Sequence, residues 1–197
     1  MSAALAIFAA TVVVSLVGLY SKPALIQRFL FRPYWFLRRK QYDTVITSGF
    51  VHADLAHLIF NMVTFYFFAF QLERVIGPLR FALLYLLGLV LSEITTYYKH
   101  RNDPSYASLG ASGAISAVLF ASIVYFPTQK LFIIPIPLPI PAPLFAVAYV
   151  AYSWYSARQA RGNINHDAHL GGALVGLAFV FLTDPSAYQR MSQLLFG

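Results

Sequence analysis

The chain contains no cysteine, which excludes disulfides, thiolate metal sites and a cysteine nucleophile, and leaves no sign of a redox compartment. Charge is scarce as well: 11% of the 197 residues are Asp, Glu, Lys or Arg, where soluble domains carry roughly 25%. What replaces charge is apolar. A hydrophobic fraction of 59% and a mean hydropathy of +0.65 describe a membrane protein. The length suits one domain, residues 1–197, with room for about six helical spans. Fourteen basic residues against seven acidic ones give a net charge of +7. In so apolar a chain, basic loop residues are expected to meet anionic lipid headgroups in the bilayer, and nucleic acid is not an expected partner.

Ala3 to Tyr20 has no charge and reads as a first span. No basic stretch precedes it and no clean small-residue cleavage site follows, so it is read as retained. From Ser21 to Val51, Lys22, Arg28, Arg32, Arg38, Arg39 and Lys40 alternate with Phe29, Phe31, Tyr34, Trp35 and Phe36. Rings at headgroup level with charges in water mark an interfacial segment, the plainer reading being a solvated basic loop. A second span is expected over Leu55–Leu72, with Asp54 as its N-cap and an exit through Glu73-Arg74 to Gly77-Pro78. A third runs from Pro78 to about Tyr98, with Glu93 near its end in a structural role. The alternating prolines from Pro135 to Pro143 argue against both helix and ladder pairing and predict an extended connector. A short fifth span over Leu144–Ala157 and a polar loop over Arg158–Asp167 come next. The last span, Ala168–Leu182, completes an all-α membrane protein.

The stretch Gly110-Ala111-Ser112-Gly113 opens the fourth span, which runs to Phe126 before Pro127. A serine at a helix N-terminus sits where unpaired backbone N–H groups and the positive dipole end favour developing negative charge. Ser112 to Phe126 covers about 22 Å of a hydrocarbon core about 30 Å thick. If the helix reaches one face of the bilayer, its serine lies below the other. In the second span His57 and Asn61 are about 40° apart around a helix and share a face, which makes them functional candidates in an apolar span. His169 opens the last span beside Gly172-x-x-x-Gly176, a small-residue face. Gly113 and Ala117 give the fourth span a similar one, and two such faces would bring Ser112 and His169 together. Each feature alone has a plainer reading: a buried serine on a backbone carbonyl, a structural histidine, a packing glycine. Together they fit a nucleophile, its base and a pair of oxyanion donors.

At these residues the sequence resembles the rhomboid family of intramembrane serine proteases, over about Ala3 to Leu182. The family's His-x4-His-x3-Asn pattern stands as His52, His57 and Asn61, its Gly-x-Ser-Gly as Gly110, Ser112 and Gly113. Its Ala-His-x2-Gly-x3-Gly stands as Ala168, His169, Gly172 and Gly176, and the exit from Glu73 to Gly77 also matches. The resemblance implies a six-transmembrane-helix bundle that hydrolyses peptide bonds by a Ser–His dyad. Ser112 is then the nucleophile and His169 the base, with His57, Asn61 and the Ser112 N–H on the oxyanion. It implies single-span membrane proteins as substrates, cut near a small residue where the helix is unstable, and no cofactor or metal. No carboxylate need orient the histidine in this family, and Asp167 reads as a residue of the helix start.

The chain departs from the pattern twice. Members often carry an aromatic four residues after the nucleophile, packing on the imidazole; here that position is Ser116, and an aromatic of the fifth span is a candidate substitute. The family's Trp-Arg pair in the first loop is absent, with Tyr42-Asp43 near that place.

Two other readings compete. One is a non-catalytic rhomboid-like binder or chaperone of membrane segments, although such relatives typically lack the serine or the histidine. The other is a small transporter or metal carrier using His52, His57, His166 and His169. His52 and His57 would lie about 140° apart on a helix, with no cysteine or acidic partners, which is poor for a shared metal. The expected location is a bacterial inner membrane with the site opening to the extracytoplasmic side. Against that orientation stands the positive-inside rule. The loops after spans one, three and five, which the resemblance puts outside, hold Lys22, Arg28, Arg32, Arg38, Arg39, Lys40, Lys99, Arg101, Arg158 and Arg161.

Overall fold

The computed structural model describes residues 2–133, 136–159 and 164–197. Two of the sequence expectations, on Pro135 and on Arg161, lie outside the described residues. Helix α1 (Ala3–Leu16) continues through a wider turn at Val17–Ser21 and is capped by Ser2. Glu73, at the far end of α5 (Leu55–Ile76), accepts from the Ser2 hydroxyl and from the N–H groups of Ala3 (2.6 Å) and Ala4 (3.2 Å). A carboxylate at a helix N-terminus meets the orphan donors and the positive dipole end, so Glu73 pins α1 to α5.

The aromatic and basic segment folds into three short helices, α2 (Pro23–Phe29), α3 (Pro33–Arg38) and α4 (Thr44–Thr47). Within it the guanidinium of Arg38 lies 4.1 Å from the Tyr34 ring centre and that of Arg39 3.8 Å from Trp35, cation–π pairs that keep charge beside ring. Asp54 caps α5 through the His57 N–H at 2.7 Å, as expected. The helix ends at Gly77, whose φ of +82° only glycine adopts readily, and Pro78 starts α6 (Pro78–His100).

Helix α7 (Ser112–Tyr125) is buried from Gly113 to Val124 and forms the axis of the molecule, with α5, α6 and α9 (His166–Thr183) packed around it. A helix hydrophobic all round must be surrounded, and this one is. Among the described residues four helices are long and apolar enough to cross a membrane: Ala3–Ser21, Leu55–Ile76, Pro78–His100 and His166–Thr183. Helix α7 is apolar but shorter, 14 residues or about 21 Å. Helix α8 (Ala142–Gln159) is not among the four. The bundle is all-α with one exception.

That exception corrects the proline connector. Strand β1 (Lys130–Ile133) pairs antiparallel with β2 (Ile136–Pro141), setting Leu131 opposite Ile140 and Phe132 opposite Pro139. Alternate residues of a strand point their N–H to opposite edges. Pro139 and Pro141 of β2 therefore place their missing donors on the outer edge, and Ile140 between them keeps the ladder opposite Leu131. The Ala142 N–H, on the paired edge, reaches the Gln129 carbonyl at 3.0 Å. Alternation, read as a ban on pairing, spares one edge entirely.

Helix ends also move. The fifth helix begins at Ala142 rather than Leu144 and runs to Gln159, and the last begins at His166 rather than Ala168. Asn165 is the cap of α9: its side-chain oxygen accepts from the Ala168 N–H at 3.1 Å, and its amide donates to Thr96 at 3.0 Å and Glu93 at 3.3 Å. Glu93 thus has the structural role expected of it. Helix α10 (Ser186–Phe196) follows the last span; at 11 residues it is too short to cross a bilayer and is not among the spans expected from the sequence.

Asn165→Ala is expected to lower stability by about 1–2 kcal/mol, since it removes a cap and leaves the buried Thr96 hydroxyl and the half-buried Glu93 carboxyl without the Asn165 donor. Thermal unfolding in detergent measures it, and an unchanged unfolding temperature would show that the cap is dispensable.

Candidate active site

Two turns face each other at one end of the bundle. Ser112 is the first residue of α7, following Ala111 in a bridge-region conformation, and is half-buried. The first intrahelical bond runs from the Ile115 N–H to the Ala111 carbonyl, so the N–H groups of Ser112, Gly113 and Ala114 have no acceptor within the helix. Donors are therefore available where negative charge would develop.

Gly110 sets that turn. Its φ is +108°, and its N–H is held by the Ser48 carbonyl at 2.9 Å. A Cβ placed there would lie 2.7 Å from Cε1 and 2.9 Å from Nε2 of His57, and 3.6 Å from Nδ2 of Asn61. The structure thus brings His57 and Asn61 together, as their shared helix face requires, and places both against the serine turn. Asn61 is buried, and its Nδ2 has no hydrogen-bond partner among the described residues. A buried amide donor normally finds a partner, and one beside a helix N-terminus is a candidate donor to an oxyanion.

His52 lies in the loop before α5 and is fully buried. Its Nδ1 is 2.8 Å from the Ser15 hydroxyl, which donates to the Phe50 carbonyl at 2.9 Å, and its Nε2 meets the Ala111 N–H at a long 3.5 Å. One assignment satisfies all three contacts: a neutral imidazole with its proton on Nδ1, donating to Ser15 and accepting from Ala111. Burial agrees, pushing this imidazole down to about 3. His52 therefore buttresses the residue before Ser112 from behind, with its ring 4.9 Å from that of His57.

His169 sits in the first turn of α9, its N–H bonded to the Asn165 carbonyl at 3.2 Å. The two glycines of its helix explain how close α7 comes. A Cβ on Gly172 would fall on the Gly113 carbonyl and 3.0 Å from the Ser116 Cβ; one on Gly176 would fall on the Ala117 carbonyl. A Cβ on Gly113 would meet the Ser92 hydroxyl, and Ala168 O at 3.5 Å. Small residues on both faces let the backbones touch, and the crossing stacks the first turn of α7 on the first turn of α9. Ser112 and His169 therefore lie on facing turns. No hydrogen bond joins their side chains among the described residues, a looseness common in unliganded sites.

Asp167 pairs with Lys99 at 2.7 Å and not with His169, in keeping with its reading as a residue of the helix start. The His169 ring is instead flanked by aromatic rings, Tyr149 of α8 at 6.0 Å with 24° between planes and His166 at 5.6 Å nearly edge-on. His166 is buried and its contact with the site was not legible in the sequence, although three residues from His169 on a helix is a face-sharing distance. Among the described residues no group of His, Asp and Glu could hold a metal ion.

Comparison with known proteins gives the family. The family model for the Rhomboid domain matches residues 39–185. RHOMBOID-like protein 12, mitochondrial, of Arabidopsis thaliana is 33% identical over 150 residues, 67% of this chain and 44% of that protein. Rhomboid protein 1, mitochondrial, of Saccharomyces cerevisiae is 29% identical over 173 residues, 84% of this chain and 49% of that one. The human presenilin-associated rhomboid-like protein, mitochondrial, is 33% identical over 138 residues, 69% and 36% of the respective chains. The aligned part is under half the length of each of these relatives. Their names also overturn the expectation of a bacterial inner membrane: each is designated mitochondrial. Hydropathy and loop charge report that a chain enters a bilayer and say nothing of which bilayer it is.

Proposed function

This chain belongs to the rhomboid family, and on that premise we propose that it is an intramembrane serine endopeptidase. The observation that carries the reading is the crossing of α7 and α9, which sets Ser112 opposite His169 with the unpaired Asn61 amide beside the same turn. His169 accepts the Ser112 proton as Oγ attacks the scissile carbonyl carbon. The oxyanion that forms receives the Ser112 N–H, the Asn61 amide and the His57 imidazole N–H. Collapse breaks the C–N bond, and the imidazolium returns its proton to the leaving amine. A water, deprotonated by the same histidine, then attacks the acyl-serine and releases the new carboxyl end and the free hydroxyl.

The substrates are single-span membrane proteins whose helices are locally unstable, since a helical peptide bond must unwind to reach a serine. Six spans over Ala3–Leu182, with α7 and α8 among them, complete the proposal. A mitochondrial membrane is its compartment, supported by the names of the relatives. A fluorophosphonate probe on detergent-purified, folded protein tests it. Covalent labelling is expected; a folded chain that takes no label is a binder of membrane segments, and the protease reading falls.

The oxyanion donors give a graded prediction. Asn61→Ala is expected to cut kcat by roughly 10²–10³, with Ser112 still labelled slowly, because one donor is lost and the backbone N–H remains. His57→Ala acts in the same direction. His100, the last residue of α6, stacked on Tyr106 at 3.5 Å, serves as the control, and His100→Ala is expected to be near neutral. Equal losses at His57 and His100 in steady-state cleavage would put the oxyanion site elsewhere.

A further inference from the structure

A base that takes a proton from serine must hold its ring in one orientation, and His169 has no carboxylate to hold it. Asp167 is occupied by Lys99. Position 116, where the family pattern leads one to expect an aromatic on the imidazole, is a serine. It lies one turn after Ser112 on α7, buried, with its hydroxyl 2.7 Å from the hydroxyl of Tyr149 on α8. The ring of that tyrosine is the one stacked on His169. Phe120 of α7 and Phe145 of α8, at 5.5 and 5.8 Å, pack against Tyr149 and limit its movement.

We propose that Tyr149, anchored by Ser116, is the positioning residue for the His169 base, the two together replacing a single aromatic on α7. The proposal rests on the protease reading above. The ring defines the plane in which the imidazole lies. The hydroxyl pair, half-buried between two helices, fixes how far the ring reaches. The exchange has a consequence. An aromatic at position 116 would orient the base from the helix that carries the nucleophile; here the orientation comes from α8, so the competence of His169 depends on α8 staying docked on α7 and α9.

The test is the rate of fluorophosphonate labelling together with kcat and KM on a transmembrane substrate, at equal unfolding temperature. Tyr149→Leu removes the ring and is expected to slow labelling and kcat by roughly 10²-fold, the scale of a misplaced catalytic group, with KM close to the parent's. Tyr149→Phe keeps the ring and is expected to lose only a small part of that. Ser116→Ala should match Tyr149→Phe, and the double variant should be no worse than either, because both remove one hydrogen bond. Labelling of Tyr149→Leu at the parent rate overturns the proposal. If Tyr149→Leu does not fold, the Ser116→Ala and Tyr149→Phe cycle decides: a shared, non-additive loss supports it, and full-rate labelling of both overturns it. A parent that is itself unlabelled overturns the protease reading and this proposal with it; a labelled parent indifferent to Tyr149 overturns this one alone.

Discussion

Ser112→Ala is expected to abolish cleavage of a model transmembrane substrate while leaving the unfolding temperature nearly unchanged. The two halves of that expectation have different causes. Removing the only hydroxyl on the first turn of α7 removes the proposed nucleophile, and the remaining donors could polarise a carbonyl but not form an acyl intermediate. Stability survives because the hydroxyl makes no hydrogen bond within the fold among the described residues, and alanine is well suited to a first helical turn. Cleavage is read on a gel in detergent or liposomes. Near-normal cleavage by Ser112→Ala would remove the nucleophile assignment, and a large loss of stability would mean that Ser112 is a packing residue.

Gly172→Val should be nearly as damaging, through geometry alone. Even the Cβ of such a variant overlaps the Gly113 carbonyl, a backbone atom that cannot rotate away, so α9 must move off α7. A shift of about 1 Å at a catalytic pair costs roughly 10²-fold, and the loss of close backbone packing adds a stability penalty. Gly172→Val is therefore expected to reduce cleavage below roughly 1% and to lower the unfolding temperature. Leu174, on the same helix and 68% exposed, is the control: Leu174→Ala should keep both properties. Parent-like cleavage by Gly172→Val would show that the crossing does not align the dyad.

The two experiments separate what the sequence carries openly from what it carries only in context. Composition was enough to place the chain in a bilayer, because an 11% charged chain has no means of solvating a surface. The motifs around His57, Ser112 and His169 were legible because their spacing is local: a shared helix face, a glycine turn and a four-residue glycine repeat each act within one element. The proline alternation was just as visible and was misjudged. Whether a missing N–H matters depends on which edge is paired, and β1 decides that from outside the stretch.

Legible from single stretches of the chain are the apolar helices and the groups they bear: a serine at one helix start, a histidine at another, His57 and Asn61 on a third. Only the tertiary structure decided how they meet. The Asn165 amide on Thr96 and Glu93, the His52 brace behind Ala111 and the Tyr149–Ser116 pair all join residues 33 or more positions apart. Such contacts leave no periodic trace, since a hydrogen bond or a ring stack needs one atom from each helix and places no demand on their neighbours. Helix periodicity tells which face is inward; the Gly172–Gly113 crossing, a matter of where two backbones can touch, fixes what that face finds there.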